Sequence, residues 1–549
     1  MQIKRIFSLV FLSVLMVPTK VDACTNFLIG KDASADGSTI VTYNVDSYGM
    51  YGRLPLYPAA TYPQGQMRHI VFSDINKYMG EIAEAPQTYK VIGQMNEYQL
   101  SIVETTFGGR TELAGTGTID YVSLMTIALQ RARTAREAIK VMTSLVEEYG
   151  YGSTGETFSI ADPDEIWIME LIGKGADDKG AVWVAVRIPD DCICAHANQS
   201  RIHQFDLKDK ENVLYSKDVI SFARKKGYFS GKDSDFSFSR AYSPSNFHMR
   251  RACEARAWSF YNKHVEGMER YLPWAEGWDE NAEVMPLYFK PKHKLSLRDA
   301  MDGMRDHYEG TPFDMTVDCS GGAWDSPYRP RPQEFEVDGK KYFHERPIAT
   351  QQSCCTMVCQ MRSWMPDAVG GVLWFGNDDA AMVTYTPVYC GATRVPVCYD
   401  APGATDLIFS WDSAFWVCNW VSNMTYQRYS RLFPDVERVR EELQDKFIAG
   451  QAAVEEKALA CCTTHLGDAV EQLTSFGEAC ASEMLERWKE LGIYLIVKHN
   501  DMAVKPETDG KFDVTEYGRG VPPIRDGYNM NYQRTIVHDT GDKYLIKEN

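Results

Sequence analysis

Cys24 follows a stretch with the makeup of a secretory leader, and a cysteine exposed by cleavage there carries a nucleophilic thiol and a free α-amine on one residue. Residues 1–23 hold basic Lys4 and Arg5, an apolar run from Ile6 to Val17, and then Val21-Asp22-Ala23, with apolar or small side chains where a signal peptidase reads. Cleavage after Ala23 makes Cys24 the first residue. The amine, with an ordinary pKa of about 7.7–8.0, suits a general base near neutrality. A thiol with an ordinary pKa of about 8.5 needs only modest help to attack as thiolate.

Two other readings of Cys24 stay open. It is a lipid attachment point, or it is an ordinary residue near a new N-terminus. Lipidation would occupy both thiol and amine, so it excludes catalysis chemically. Thr25-Asn26-Phe27-Leu28-Ile29 is short, apolar and β-favouring and leads straight into Gly30, with none of the polar tether that normally carries an anchored protein. Asp22 also fits poorly where a lipoprotein leader has a small residue.

The element that must position Cys24 is a hairpin. Lys31 to Gly37 is a cluster of turn formers ending in Asp-Gly, and Ser38-Thr39-Ile40-Val41-Thr42-Tyr43-Asn44 is a second β-rich run. Antiparallel return brings Asn44, Val45 and Asp46 beside Cys24. There Asp46 could orient the amine or stabilise its protonated form; its other reading is a strand-end turn residue.

Further segments follow in order: Asn96-Glu97, Ala161-Asp162 through Trp167-Ile168-Met169-Glu170, Ala197-Asn198-Gln199, Gln360-Met361-Arg362 with Pro366, Trp374, and Ser413-Ala414-Phe415-Trp416. With the start Cys24-Thr25-Asn26, Gly30-Lys31 and Asp36-Gly37-Ser38, they make the chain resemble the N-terminal nucleophile hydrolases. Within these it is similar to the family C69 dipeptidases, relatives of penicillin V acylase and bile salt hydrolase. The resemblance covers roughly residues 24–430.

The resemblance implies an exported cysteine dipeptidase acting through a thioester on Cys24, and it implies site residues one by one. Tyr43-Asn44-Val45-Asp46 stands where relatives have Arg-Asn-x-Asp, so Asp46 matches and Tyr43 departs from the arginine. Thr106 aligns with one oxyanion donor, a hydroxyl in place of an amide. Asn198, at the end of the β-rich run Cys192–Ala197, fits the second. Arg251 lies where relatives place an arginine near the nucleophile, with Arg250 and Arg256 as close alternatives. A dipeptidase also needs a carboxylate for the substrate's free amine, for which Glu97, Glu104 and Asp46 are candidates. The acylases of the same superfamily use the same nucleophile, so an acylase-type amidohydrolase is the alternative activity. A non-catalytic surface lipoprotein is the alternative class.

Composition bounds the rest. The chain has 549 residues, 44% hydrophobic and 24% charged, as in an ordinary globular protein. A net charge of −17 disfavours nucleic acid as a partner, because phosphate binding needs a basic surface. No Walker, dinucleotide or zinc-protease motif appears, so no cofactor is expected. All fourteen cysteines lie at or after Cys24 in a region expected to be exported, where disulfides can form; no pairing follows from their spacing. Cys192-x-Cys194-x-His196 could share one strand face, as metal ligands or as buried strand residues.

The elements are expected to be strands grouped with outer helices. Leu100–Thr105 reads as a strand, and helices follow near Asp120–Arg131 and Thr134–Tyr149, the second opened by a Thr134-x-x-Glu137 capping box. Strands are expected over Phe158–Ala161, Ile166–Leu171, Ala181–Val186 and Cys192–Ala197, and a helix over Arg250–Tyr261. Asp435–Ala449 and Ala452–Leu491 carry helical patterns. The expected architecture is α+β, which the resemblance sharpens to a four-layer αββα sandwich. The divisions are a leader over 1–23, a catalytic domain over 24–430, and a helical extension with a tail over 431–549.

Overall fold

The computed structural model describes residues 24–547, so the leader and its cleavage site lie outside the described residues. The chain begins with β1 (Asn26–Ile29) and β2 (Thr39–Asp46), followed by the short β3 (Leu56–Tyr57), β4 (Val91–Ile92) and β5 (Met95–Asn96). Next come β6 (Ser101–Gly108) and the helices α1 (Tyr121–Arg131) and α2 (Ala135–Tyr149). The strands β7 (Gly155–Ala161), β8 (Ile166–Gly173), β9 (Ala181–Ile188), β10 (Ile193–His196) and β11 (Val213–Tyr215) precede α3 (Ala255–His264). After β12 (Tyr288–Phe289) and α4 (Leu297–Met304) come β13 (Ser353–Met361), β14 (Val372–Asn377) and β15 (Thr386–Tyr389). Three helices follow, α5 (Ala414–Gln427), α6 (Tyr429–Cys462) and α7 (Leu466–His499).

The strands form two antiparallel sheets. The first runs β12-β10-β1-β2-β13-β14-β15 and the second β11-β9-β8-β7-β6-β5-β4-β3. The hairpin expected behind Cys24 is present: Leu28 pairs with Val41, and a bridge from Thr25 to Asn44 carries the pairing to the nucleophile's neighbour. Gly37 turns it at φ +86°, where a side chain would be strained.

The sheets face one another, and His196 of β10 shows how closely. Its Nδ1 lies 2.8 Å from Thr105 Oγ1 on β6 and its Nε2 2.7 Å from Ser159 Oγ on β7. Thr105 gives its hydroxyl proton to the Ala197 carbonyl, so Nδ1 must donate to Thr105 and Nε2 accept from Ser159. Burial, with Arg201 and Arg256 nearby, pushes this imidazole down to about 3 and keeps it neutral. His196 is thus a satisfied core histidine. The metal reading of Cys192-x-Cys194-x-His196 fails, and no group of three potential ligands stands together among the described residues.

Helices cover both outer faces. On the second sheet, Leu124, Ala128, Met142 and Val146 of α1 and α2 cluster with Ile102, Ile160, Trp167 and Met169. The cap of α2 differs in one detail from the expected box: Thr134 accepts from the Glu137 N–H, but the Glu137 carboxylate reaches back to the Arg133 N–H. On the first sheet, α4 sits over β2, where the Asn44 amide donates to the Met304 carbonyl. Beside it lie α6 and α7. All nine residues of β13 are buried, because one face meets the other sheet and the other meets helices.

The helices beyond residue 430 are therefore a layer of the body, and packing shows no break at that position. Arg362, just after β13, is held by both carboxylate oxygens of Glu455 on α6, at 2.6 and 2.8 Å, and both groups are buried. Trp488 of α7 is fully buried in the same core. No helix among the described residues is long and apolar enough to cross a membrane. The fourteen cysteines are all unpaired thiols, although Cys354 and Cys355 bring their sulfurs to 3.9 Å.

Candidate active site

Cys24 is buried at the mouth of the β1–β2 hairpin, 2% exposed. Its sulfur lies 3.5 Å from Glu104 Oε1 and 3.8 Å from the Tyr43 hydroxyl, and the Asp46 main-chain N–H points to it. Tyr43 in turn donates to Glu104 at 2.5 Å. Burial pushes the thiol well above its ordinary range, and the negative charges of Glu104 and Asp46 add to the shift. The shift favours the protonated thiol in this structure.

The arginine at the site is Arg256. Its Nη1 donates to the Cys24 carbonyl and to Thr25 Oγ1, both at 2.7 Å, and its Nη2 to Asn198 Oδ1 at 3.0 Å. Arg251 instead pairs with Glu345 at 2.5 Å, its guanidinium 4.7 Å over the Phe313 ring. The expected helix explains the correction. Arg250–Glu254 is wound as a wider π-type turn running into α3, so the face presented to β1 is displaced along the sequence. Residues five apart on a regular helix already point about 140° away from each other, and only one of the two can meet Cys24.

Asn198 stands just past β10. An arginine can only donate, so its contact with Arg256 fixes Oδ1, and Nδ2 lies on the other branch, donating to the Thr106 carbonyl at 2.9 Å. Thr106 is therefore at the site, but its hydroxyl is not aimed at Cys24. It donates to Glu156 at 3.0 Å. Only its main-chain carbonyl touches the expected oxyanion residue.

Asp46 is beside Cys24 as the hairpin requires, yet its carboxylate faces away. It forms a buried ion pair with Arg346 and accepts from Ser353 at 2.5 Å. Burial raises its pKa and the Arg346 charge opposes the rise. Of the three carboxylates considered for an amine, Glu97 is spent on the Lys90 N–H, Asp46 on Arg346, and Glu104 alone touches the nucleophile. Glu156 and Arg346 went unrecognised in the sequence. Arg346 is 300 residues from Asp46 and carries no local motif; Glu156 opposes Thr106 across the β6–β7 ladder, a register visible only after folding.

A buried thiol, a carboxylate at its sulfur, and a guanidinium that holds both the Cys24 carbonyl and the Asn198 amide oxygen stand together on a two-sheet α+β body. The chain matches Peptidase family C69 over residues 23–55 and 54–442, and it belongs to that family of peptidases. It is 27% identical over 412 residues to a protein of Salmonella dublin named "Probable dipeptidase", covering 70% of this chain and 84% of that one. A protein of the same name from Latilactobacillus sakei is 23% identical over 510 residues, 88% of this chain and 97% of the relative. "Dipeptidase A" of Lactobacillus helveticus is 26% identical over 467 residues, with coverage of 80% and 86%.

Proposed function

We propose that this protein is an exported cysteine-type dipeptidase of the N-terminal nucleophile class, with Cys24 as its first mature residue. The observation that carries the reading is the Arg256 guanidinium, which holds the Cys24 carbonyl and the Asn198 amide oxygen at once. One rigid cation thus fixes the spacing between nucleophile and oxyanion donor. The two facing sheets with outer helices support a four-layer αββα sandwich of this class.

In this mechanism the sulfur attacks the peptide carbonyl as the Cys24 α-amine takes the thiol proton. The C–S bond forms, and the carbonyl oxygen becomes an anion stabilised by an Asn198 amide N–H. Collapse of that intermediate breaks the C–N bond, and the proton passes from the α-amine to the departing amine. Water then attacks the thioester, with the same amine as base, and frees the first amino acid. The elevated thiol pKa makes this base necessary. The amine cannot serve while residue 23 is bonded to it, so the precursor is inactive until the leader is removed, and the Val21-Asp22-Ala23 site favours a signal peptidase for that step.

Cutting a dipeptide requires recognition of a free α-ammonium next to the scissile bond, so unblocked dipeptides should be hydrolysed and N-acetylated ones poorly. Initial rates on matched free and acetylated dipeptides, beside a conjugated bile salt, check this. Preference for the blocked peptide or the conjugate would make the protein an acylase instead.

A further inference from the structure

Glu104 and Glu156 are buried carboxyls, 1% and 0% exposed; Glu104 is opposite Phe158 and Glu156 opposite Thr106, so they lie diagonally across the β6–β7 pair, with their carboxyls in contact and Glu104 next to Cys24. On each, one oxygen is engaged: Glu104 Oε1 takes the Tyr43 hydroxyl and the Cys24 thiol, and Glu156 Oε1 takes the Thr106 hydroxyl. On each, Oε2 has no partner beyond the opposing carboxyl. The Tyr151 hydroxyl, 1% exposed, stands within electrostatic reach of both. No Lys, Arg or His among the described residues pairs with either carboxyl, whereas Asp46, also near Cys24, has Arg346.

A buried carboxylate beside Cys24 with an oxygen that takes no hydrogen bond beyond the opposing carboxyl, and no cation of this chain on it, is chemically suited to a cationic substrate group. We infer that the Glu104–Glu156 pair receives the substrate's α-ammonium group, which makes Glu104 the residue that selects unblocked peptides. The inference rests on the dipeptidase reading and names the part of the site that would enforce it.

Covalent geometry supports the placement. An α-nitrogen lies about 2.5 Å from the carbonyl carbon of its own residue, given standard bonds and angle. A carbonyl poised for attack sits about 3–3.5 Å from the sulfur. Glu104 Oε1 is 3.5 Å from that sulfur, so an ammonium can reach a charge-assisted distance of about 2.8 Å from the carboxylate while the carbonyl stays in line with Sγ. Burial pushes Glu104 up to about 6, and burial and then the Glu104 charge push Glu156 well above the usual carboxylate range.

The test uses Glu104→Gln in the chain beginning at Cys24, with kcat/KM measured on alanylalanine and on its N-acetyl form. The expected result is a fall of about 10–100-fold in the ratio of kcat/KM on the free dipeptide to kcat/KM on the acetylated one, as for loss of a hydrogen bond between charged groups, over and above any loss common to both substrates through the Cys24 contact. Glu104→Asp should restore part of the preference, which separates recognition from misfolding. Equal loss on both substrates would overturn the inference and assign Glu104 to Cys24 itself; an unchanged preference would overturn it as well.

Calorimetric binding of the same two peptides to Cys24→Ala, with and without Glu104→Gln, decides the matter apart from turnover. If the wild type cleaves neither peptide, the dipeptidase reading fails on its own. The subsite then stands if alanylalanine binds and the Glu104→Gln change removes that binding, and falls if the acetylated form binds equally well.

Discussion

Cys24→Ala, in the chain that begins at residue 24, is expected to take peptide hydrolysis below detection while thermal unfolding stays close to that of the wild type. Removing a covalent nucleophile from a site that otherwise remains whole costs on the order of 10⁶ in kcat. The sulfur is the only group lost, since the Cys24 carbonyl that Arg256 holds and the Thr25–Asn44 bridge belong to the main chain. Alanine gives up only the thiol's contacts with the Glu104 carboxylate and the Tyr43 hydroxyl. Stability should therefore change by no more than about 1 kcal/mol, the scale of one small buried group. Full activity in this variant would end the mechanism.

Asn198→Ala is expected to lower kcat by about 10²–10³, equivalent to about 2.7–4 kcal/mol, the usual cost of one oxyanion donor, with a much smaller change in KM. The split matters because Asn198 also ties Arg256 to the Thr106 carbonyl, and a purely structural role would show as lost stability instead. Asn198→Asp keeps the contact with Arg256. Its carboxylate loses the bond to the Thr106 carbonyl and puts negative charge where the oxyanion forms, so it should be as slow as the alanine variant while Arg256 stays in place. Steady-state kinetics with unfolding curves on both variants provide the check, and an aspartate variant of near wild-type rate would remove Asn198 from the chemistry.

The hairpin that presents Cys24 was legible because its signals are local: two β-favouring runs joined by turn formers ending in Asp36-Gly37. The main strands and the helices over 121–131 and 135–149 were legible for the same reason, through alternation, capping and a helical apolar stripe. The long C-terminal helices could be read from their periodicity, but their place could not. Only the fold reveals that Glu455 reaches Arg362 and that Trp488 lies in the sheet's core.

At the site, residues fixed by the main chain were readable and those fixed by packing were not. Asp46 falls beside Cys24 by register, but its ion pair with Arg346 depends on a contact 300 residues away. Arg256 could not be told from Arg251 because a wide turn between them changes which side chain meets β1. Thr106 aligned correctly along β6, yet its hydroxyl is drawn to Glu156 on the neighbouring strand, a preference that the alignment of one strand does not contain. The thiol's surroundings are likewise legible only in the fold, where burial and two nearby carboxylates raise its pKa.

Intact-mass measurement with N-terminal sequencing of the protein from its native host tests most directly whether Cys24 is a catalytic N-terminus. The account predicts a chain that starts at Cys24 with an unmodified α-amine and an unmodified thiol. A diacylglycerol mass on Cys24, or an active chain that retains residues ahead of it, would contradict the account.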